Sequence, residues 1–149
     1  RPGDPEWTFT GEFLRFDAGV GGNAHLFTVS VDGGQVRQVT MGERRLASFS
    51  FSNDDLIMAF TSTDAVTPTE LYVASGDGST EQKATGFNDA WLGDVTLMPA
   101  EGLSWTVGYG TEIVGWVIKP VGFVEGGSYP MFVKIHGGPP RGWGSTASS

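Results

Sequence analysis

Short runs in which apolar and polar residues alternate, separated by turn residues, fill much of the first 93 positions. Phe49 and Phe51 alternate with small or polar residues, the pattern of a half-buried β-strand. Asp77-Gly78 is a strong hairpin-turn signal between two further runs. The predicted strands cover residues 47–52, 56–62, 70–75 and 80–85. The pattern therefore predicts a four-stranded unit whose last strand is polar, as suits an exposed sheet edge.

The same pattern occurs twice, at a spacing of 45 residues. Segments 25–34 and 70–79 share Leu, Ser, Asp and Gly in register, and Phe27 matches Tyr72. The ungapped alignment reaches forward to Thr40 and Thr85, pairs 13–16 with 58–61 backwards, and predicts strands at 26–31 and 35–40. Propeller blades repeat about every 40–50 residues with four strands each. The repeat thus predicts about two blades of a β-propeller.

The pattern changes after residue 85, where 86–93 is typical of a connector. The further predicted elements are an extended run at 94–98, a hairpin of strands 103–107 and 112–119 around the turn 108–111, and a Gly-rich loop at 120–128. The nearly continuous apolar run 131–135 predicts a strand buried on both faces of a mainly parallel sheet. No stretch predicts an amphipathic helix. We expect a partial propeller at 1–93 and a second, incomplete domain at 94–149.

Composition narrows the function classes. Of 149 residues, 39% are hydrophobic and 17% charged, a globular balance, and 23 glycines and 8 prolines suit many tight turns. The net charge of −8 and the lack of a Lys/Arg cluster argue against nucleic acid and anionic membranes as partners. With no cysteine and two distant histidines, the sequence predicts no metal site and no cofactor.

Two motifs in the last third carry a family resemblance. Residues 109–120 contain G-W-x-x-K-P, and residues 129–139 read Y-P-M-F-V-K-I-H-G-G-P. Preceded by the blade-like segments 26–40 and 48–62, they resemble the prolyl oligopeptidase family of serine peptidases, in particular its acylaminoacyl-peptidase and dipeptidyl-aminopeptidase-like branch. The likeness spans most of 9–145. It departs from the family at Tyr109-Gly110, where Asp-Gly is usual, and at the turn 52–55.

The resemblance implies a mainly β chain that holds the last blades of a β-propeller and then the first strands of an α/β-hydrolase domain. It implies that a complete enzyme hydrolyses short peptides with a Ser, a His and an Asp located beyond Ser149. Since that nucleophile, base and acid would be missing, the 149-residue chain is expected to be inactive.

The motif at 136–139 is the candidate site that the resemblance assigns. Acyl transfer places negative charge on the carbonyl oxygen, and backbone N–H groups aimed at that oxygen stabilise it. By resemblance, Gly138 would donate that N–H, Gly137 would shape the turn, and His136 and Pro139 would support the loop. Trp143 would line a substrate pocket. The alternative is a plain turn at the end of a strand, which a Gly-Gly-Pro sequence alone would favour.

Other polar residues predict structural roles. The serines near the end lack G-x-S-x-G spacing and predict a polar loop or helix start; they are Ser145, Ser148 and Ser149. His25 begins a repeated strand and predicts a surface or edge position. The acidic residues Asp32, Asp54, Asp55 and Asp77 predict turn chemistry, while nothing brings Asp89 and Asp94 to glycosidase geometry. Tryptophans 91, 105 and 116 predict core or interface positions.

Two rival interpretations stay open. A non-catalytic β-rich protein-interaction module would use the blade surface for partners. A fragment of the same peptidase ordered by association would form a homo-oligomer or a strand-exchanged dimer, since exchanged segments are a low-cost route to stability. The sequence leaves the cellular compartment and the preferred peptide open.

Overall fold

The computed structural model describes residues 2–135, and in that part of the chain strands dominate. The strands are β1 (Glu6–Trp7), β2 (Phe13–Val20), β3 (Asn23–Ser30), β4 (Arg37–Gln38), β5 (Arg45–Phe51), β6 (Ile57–Thr63), β7 (Glu70–Ser75), β8 (Gln82–Lys83), β9 (Ala100–Val107) and β10 (Thr111–Ile118). A four-residue helix, α1 (Asp89–Leu92), and a 3-10 turn, Gly108–Gly110, complete the elements. Among these residues, no helix has the length and apolar character needed to cross a membrane.

The first eight strands form two antiparallel meanders. Blade 1 is β1–β4 and blade 2 is β5–β8, with each strand paired to the next along the chain. One parallel bridge, Ala24 to Arg45, joins the blades. This confirms the predicted mainly β fold with two four-stranded blades. The outer strands β4 and β8 have two residues each, fewer than predicted, so their remaining residues are loop.

The 45-residue repeat is confirmed for the last two strands of each blade, β3–β4 and β7–β8. It is wrong by one residue for the strands before them, β2 and β6. Phe27 faces Gln38 on β4 as Tyr72 faces Lys83 on β8, an offset of 45. Across the inner pairs, however, Phe13 faces Ser30 as Ile57 faces Ser75. Phe13 therefore corresponds to Ile57 and not to Met58. The cause is one extra residue in the connection from β6 to β7.

The core belongs to the blades. It is a cluster of buried apolar side chains, Leu26, Leu46, Met58, Phe60 and Ala74. Phe60 is fully buried, and its ring stacks on Tyr72 at 6.0 Å between centroids. Phe16 and Phe27 stack at 5.9 Å in the matching place of blade 1. The alternation of the strands thus places one aromatic pair on the same face of each blade.

Polar contacts fasten blade 1 to blade 2. The Arg15 guanidinium lies 2.6 Å from the Asp55 carboxylate and 3.5 Å from the centre of the Phe51 ring. Gly78 has φ +87, and a Cβ there would come within 2.7 Å of the Val39 carbonyl oxygen. Glycine at this turn therefore allows blade 2 to approach the chain that leaves blade 1.

The chain beyond blade 2 has a different character. β9 and β10 pair over eight residues as a separate antiparallel hairpin, as predicted. The run 131–135, predicted as a buried strand, is not a strand here, and Met131 and Phe132 are 81% and 90% exposed. The prediction of a strand at 131–135 is therefore wrong. A strand needs neighbours to bond its backbone, and this run pairs with no other described strand.

Candidate functional site

The residues assigned to the oxyanion-hole motif lie outside the part of the chain that the structure describes. They are His136, Gly137, Gly138, Pro139 and the pocket candidate Trp143. The description ends at Ile135, one residue before the motif. The structure describes the segments that precede the motif in the chain, namely the β9–β10 hairpin and the loop 119–130. The roles of those five residues stay predictions.

Glycine in the G-W-x-x-K-P motif serves the packing of the hairpin. Gly115 faces Leu103 across the strands, and a Cβ at Gly115 would come 3.3 Å from the Trp105 ring. A side chain there would have to displace the indole of Trp105. Trp116, the next residue, is partly covered at 37% exposure. The motif therefore lets a large aromatic ring lie across the neighbouring strand.

The end of that motif is tied to the loop that follows. Lys119 Nζ lies 2.8 Å from Glu101 Oε2 on β9 and 5.0 Å from the centre of the Phe123 ring. Phe123 packs on Tyr129 at 5.1 Å, and the Tyr129 hydroxyl accepts the N–H of Val124 at 2.9 Å. These contacts close the loop 119–130 against the hairpin. They fix where the chain enters the run that leads to the motif.

His25 is buried, which makes the predicted surface or edge position wrong. It is 3% exposed, Nδ1 lies 3.2 Å from Thr40 Oγ1, and Nε2 lies 3.0 Å from the Gly42 carbonyl oxygen. Burial lowers the pKa of His25, the bond to Gly42 opposes that shift, and the charge of Arg44 lowers the pKa further. A threonine hydroxyl beside a histidine has the composition of a nucleophile and its base. Thr40 is also 3% exposed, however, so a substrate cannot reach this pair.

Glu70 is a buried carboxylate that the sequence did not single out. It is 2% exposed and accepts hydrogen bonds from the Thr85 hydroxyl, the Phe87 N–H at 3.1 Å and both the backbone and side-chain N–H groups of Asn88. The bond from Thr85 is the main cause that holds the pKa of Glu70 at about 2, against the effect of burial. Glu70 therefore anchors the connector after blade 2.

The repeat itself contained a signal for both buried groups. His25 aligns with Glu70 and Thr40 with Thr85. Each threonine hydroxyl oxygen also accepts a strand N–H, that of Leu26 at 3.0 Å in blade 1 and that of Leu71 at 2.9 Å in blade 2. A polar residue repeated together with its threonine partner marks a buried pair.

Asp54 and Asp77 behave as predicted for turn residues, whereas the Asp55 carboxylate instead pairs with Arg15 of blade 1. Asp54 accepts hydrogen bonds from the Ser52 hydroxyl and the Leu56 N–H, and Asp77 accepts them from the hydroxyl and N–H of Ser79. These bonds, the hydroxyl bond first in each case, lower the pKa of both carboxyls. Among residues 2–135, no group of three or more histidine, cysteine or acidic residues is placed to hold a metal ion.

The tryptophans after blade 2 are not core residues in this part of the chain. Trp91 and Trp105 are each 49% exposed. The alternative prediction, an interface position, is untested. Asp89, considered with Asp94 as a carboxylate pair, instead lies 2.9 Å from the Lys83 ammonium.

Comparison with known proteins finds peptidases. No protein-family model matches the chain. It is 28% identical over 125 residues, 84% of its length, to the "Uncharacterized peptidase YuxL" of Bacillus subtilis. It is 26% identical over 134 residues, 90% of its length, to "Dipeptidyl-peptidase 5" of Porphyromonas gingivalis. In each case it spans 19% of the relative.

The fold agrees with this sequence similarity. An acylaminoacyl peptidase solved in complex with Z-Gly-Gly-Phe-chloromethyl ketone superposes with a TM-score of 0.66 at 20% identity, over 87% of this chain and 19% of that structure. The chain thus spans about a fifth of the length of the proteins it matches. Its repeat, its hairpin and its similarity to peptidases thus agree with the resemblance to the prolyl oligopeptidase family.

Proposed function

We propose that this chain is part of a serine peptidase that hydrolyses short peptides, with acyl-aminoacyl, dipeptidyl or oligopeptide substrates. The observation that carries the proposal is the order of the units, in which two four-stranded blades precede a separate hairpin. The chain superposes on an acylaminoacyl peptidase over 87% of its length. Two relatives named as peptidases support the same reaction class.

We further propose a propeller segment at 1–93 and a hydrolase segment at 94–149. In support, the sheet that contains both blades ends at Lys83, and the next described strand begins at Ala100 in a sheet of its own. The Glu70 hydrogen bonds hold the connector as far as Asn88 against blade 2. The change of domain therefore falls after this anchored connector.

In the proposed mechanism, a Ser outside this sequence attacks the peptide carbonyl carbon. A His takes the hydroxyl proton and returns it to the leaving amine, and an Asp orients that His. Gly138 N–H donates to the oxyanion, while Gly137 allows the close approach of backbone to substrate. The closed loop 119–130 fixes where the chain enters the run 131–135 that leads there. A propeller in front of the site restricts entry to short peptides.

A serine-directed fluorophosphonate label and chromogenic amides of acyl-amino acids and dipeptides test this proposal. The full product of the gene should label and turn over substrate, and the 149-residue chain should do neither. Labelling of the 149-residue chain would contradict the assignment and make Ser145 the first residue to replace. Labelling of neither protein would favour the non-catalytic interaction module.

The role of Gly138 has a matched pair of variants in the full gene product. Gly138→Pro removes the backbone N–H, and loss of one oxyanion donor lowers kcat by about 100- to 1000-fold. Gly138→Ala keeps the N–H and controls for the loss of glycine. Equal kcat values for the two variants would contradict oxyanion donation by this residue.

A further inference from the structure

The joint between the two blades, formed by the segment 39–45 and β3, contains a histidine whose burial and cationic neighbour favour the neutral ring. Thr40 Oγ1 accepts the Leu26 N–H, so its own proton is available to His25 Nδ1 at 3.2 Å. His25 Nε2 then carries the ring proton and donates it to the Gly42 carbonyl at 3.0 Å. His25 belongs to blade 1, and Thr40 and Gly42 belong to the chain that crosses to blade 2. The imidazole therefore fastens the crossing segment to β3.

A second proton on the ring would reverse the hydrogen bond to Thr40. Thr40 Oγ1 has a second lone pair and could accept Nδ1–H beside the Leu26 N–H, while the threonine proton would have to turn elsewhere. The new cation would be buried at 3% exposure and would feel the positive charge of Arg44. Protonation therefore keeps both ring contacts but adds a buried charge beside another cation.

The charges around the joint do not offset that cation. Arg44 pairs with Glu81, Nη2 to Oε2 at 2.6 Å, so its partner carboxylate is engaged. Arg45, which lies across from Ala24 on β5, directs its guanidinium to the Gly22 carbonyl at 3.0 Å. On β2, the residue paired with His25 is Ala18, which carries no charge. Two arginines thus face the joint, and the carboxylate of the crossing segment itself, Glu43, is exposed to solvent.

The equivalent joint after blade 2 contains a buried carboxylate in place of the histidine. Glu70 takes the place of His25 and accepts the N–H groups of Phe87 and Asn88, which correspond by the repeat to the segment containing Gly42. With a pKa of about 2, Glu70 stays charged throughout the range in which a histidine titrates. One joint therefore contains a group that responds to mild acid, and the other contains a group that does not.

We propose that His25 is an acid-sensitive latch that holds the segment 39–45 to blade 1 when neutral and releases it when protonated. The latch is closed above the ordinary histidine pKa of about 6.5 and opens as the pH falls below it. The unfolded or opened state binds the proton more readily than the closed state, so closure weakens toward acid by up to about tenfold per pH unit between the two pKa values. Mild acid would thus loosen one blade boundary selectively.

Amide exchange followed by NMR on the 149-residue chain tests the latch with matched probes. The Leu26 and Leu71 N–H groups each donate to a threonine hydroxyl, so they report on the two joints in the same way. After correction for intrinsic rates, protection of Leu26 should fall between pH 7 and pH 5, while that of Leu71 stays constant. Equal changes at the two amides would overturn the proposal.

The variant His25→Gln keeps a donor and an acceptor but does not titrate in this range. In it, protection of Leu26 should no longer depend on pH, and a remaining dependence would contradict the latch. If this variant does not fold, titration of the His25 ring signal in the unaltered chain decides. A midpoint below about 6.5 is expected, and one at or above that value would overturn the proposal.

Discussion

The blades and the segment that follows them differ in where their apolar side chains lie. The blades bury Leu46, Met58 and Phe60 almost completely. Residues 94–135 contain no buried residue, although Trp105 and Met131 are among them. Both regions form regular strands, so hydrogen-bonded pairing is common to the two. A blade therefore completes its core with the neighbouring blade. The hairpin instead presents apolar surface that the described residues do not cover.

The strongest test of this comparison is a pair of truncations. Phe60→Ala should destabilise the chain by about 3–5 kcal/mol, because it removes a fully buried ring and leaves a cavity. Trp116→Ala on the hairpin should cost less than about 1 kcal/mol, because that side chain is already partly exposed. Urea unfolding followed by circular dichroism measures both. Similar costs for the two variants would erase the distinction between the regions.

A second test addresses the connector between the two regions. The charged form of Glu70 is stabilised in the fold, so its contribution is present above pH about 4.5, the ordinary glutamate value, and is lost as the pH falls through about 2. Glu70→Gln should lower the urea midpoint at pH 7, since an amide N–H₂ would meet the N–H groups of Phe87 and Asn88. The variant should also lose less stability than the unaltered chain between pH 4.5 and pH 2, where Asp54 and Asp77 still contribute to the loss in both proteins. Parallel pH profiles would be evidence against this anchor.

The hairpin turn offers a stabilising change. Tyr109 has φ +69 and is followed by Gly110 at φ +75. A tyrosine in the left-handed region is strained, whereas asparagine tolerates it. Tyr109→Asn should therefore stabilise the hairpin by about 1 kcal/mol, visible as slower amide exchange in β9 and β10. Tyr109→Ala, which lacks the tyrosine ring but gains no tolerance of positive φ, is the control, and an equal gain from alanine would argue against strain.

The smallest expected effect concerns the ion pair at the hairpin base. Lys119 and Glu101 have side-chain exposures of 38% and 50%, and such exposed pairs contribute about 0–1 kcal/mol. Lys119→Met should change the unfolding free energy of the blades by less than about 0.5 kcal/mol. The same urea assay checks this. A loss comparable to that of Phe60→Ala would show that the two regions depend on each other for stability.

The repeat predicted the blades well because each strand's alternation reports directly on a local pairing. The sequence could not align β2 with β6 correctly between the two repeats. One extra residue in a loop leaves the alternation of each strand intact and shifts only the alignment of the two strands. It also missed the burial of His25, because one polar residue on a strand does not show which side its neighbours cover. The strand predicted at 131–135 failed for the same reason, as it depends on partners that periodicity does not supply. The role of Gly138 rests on the family resemblance and stays a prediction.

Native-state amide exchange across the 149-residue chain at pH 7, read by mass spectrometry, tests most directly whether the blades form a complete core and the hairpin does not. We expect strong protection of β3 and of β5 to β7, with much faster exchange in β9, β10 and residues 131–135. Protection of β9 and β10 as strong as that of β6 would contradict it, because it would show that the hairpin has a packed core of its own.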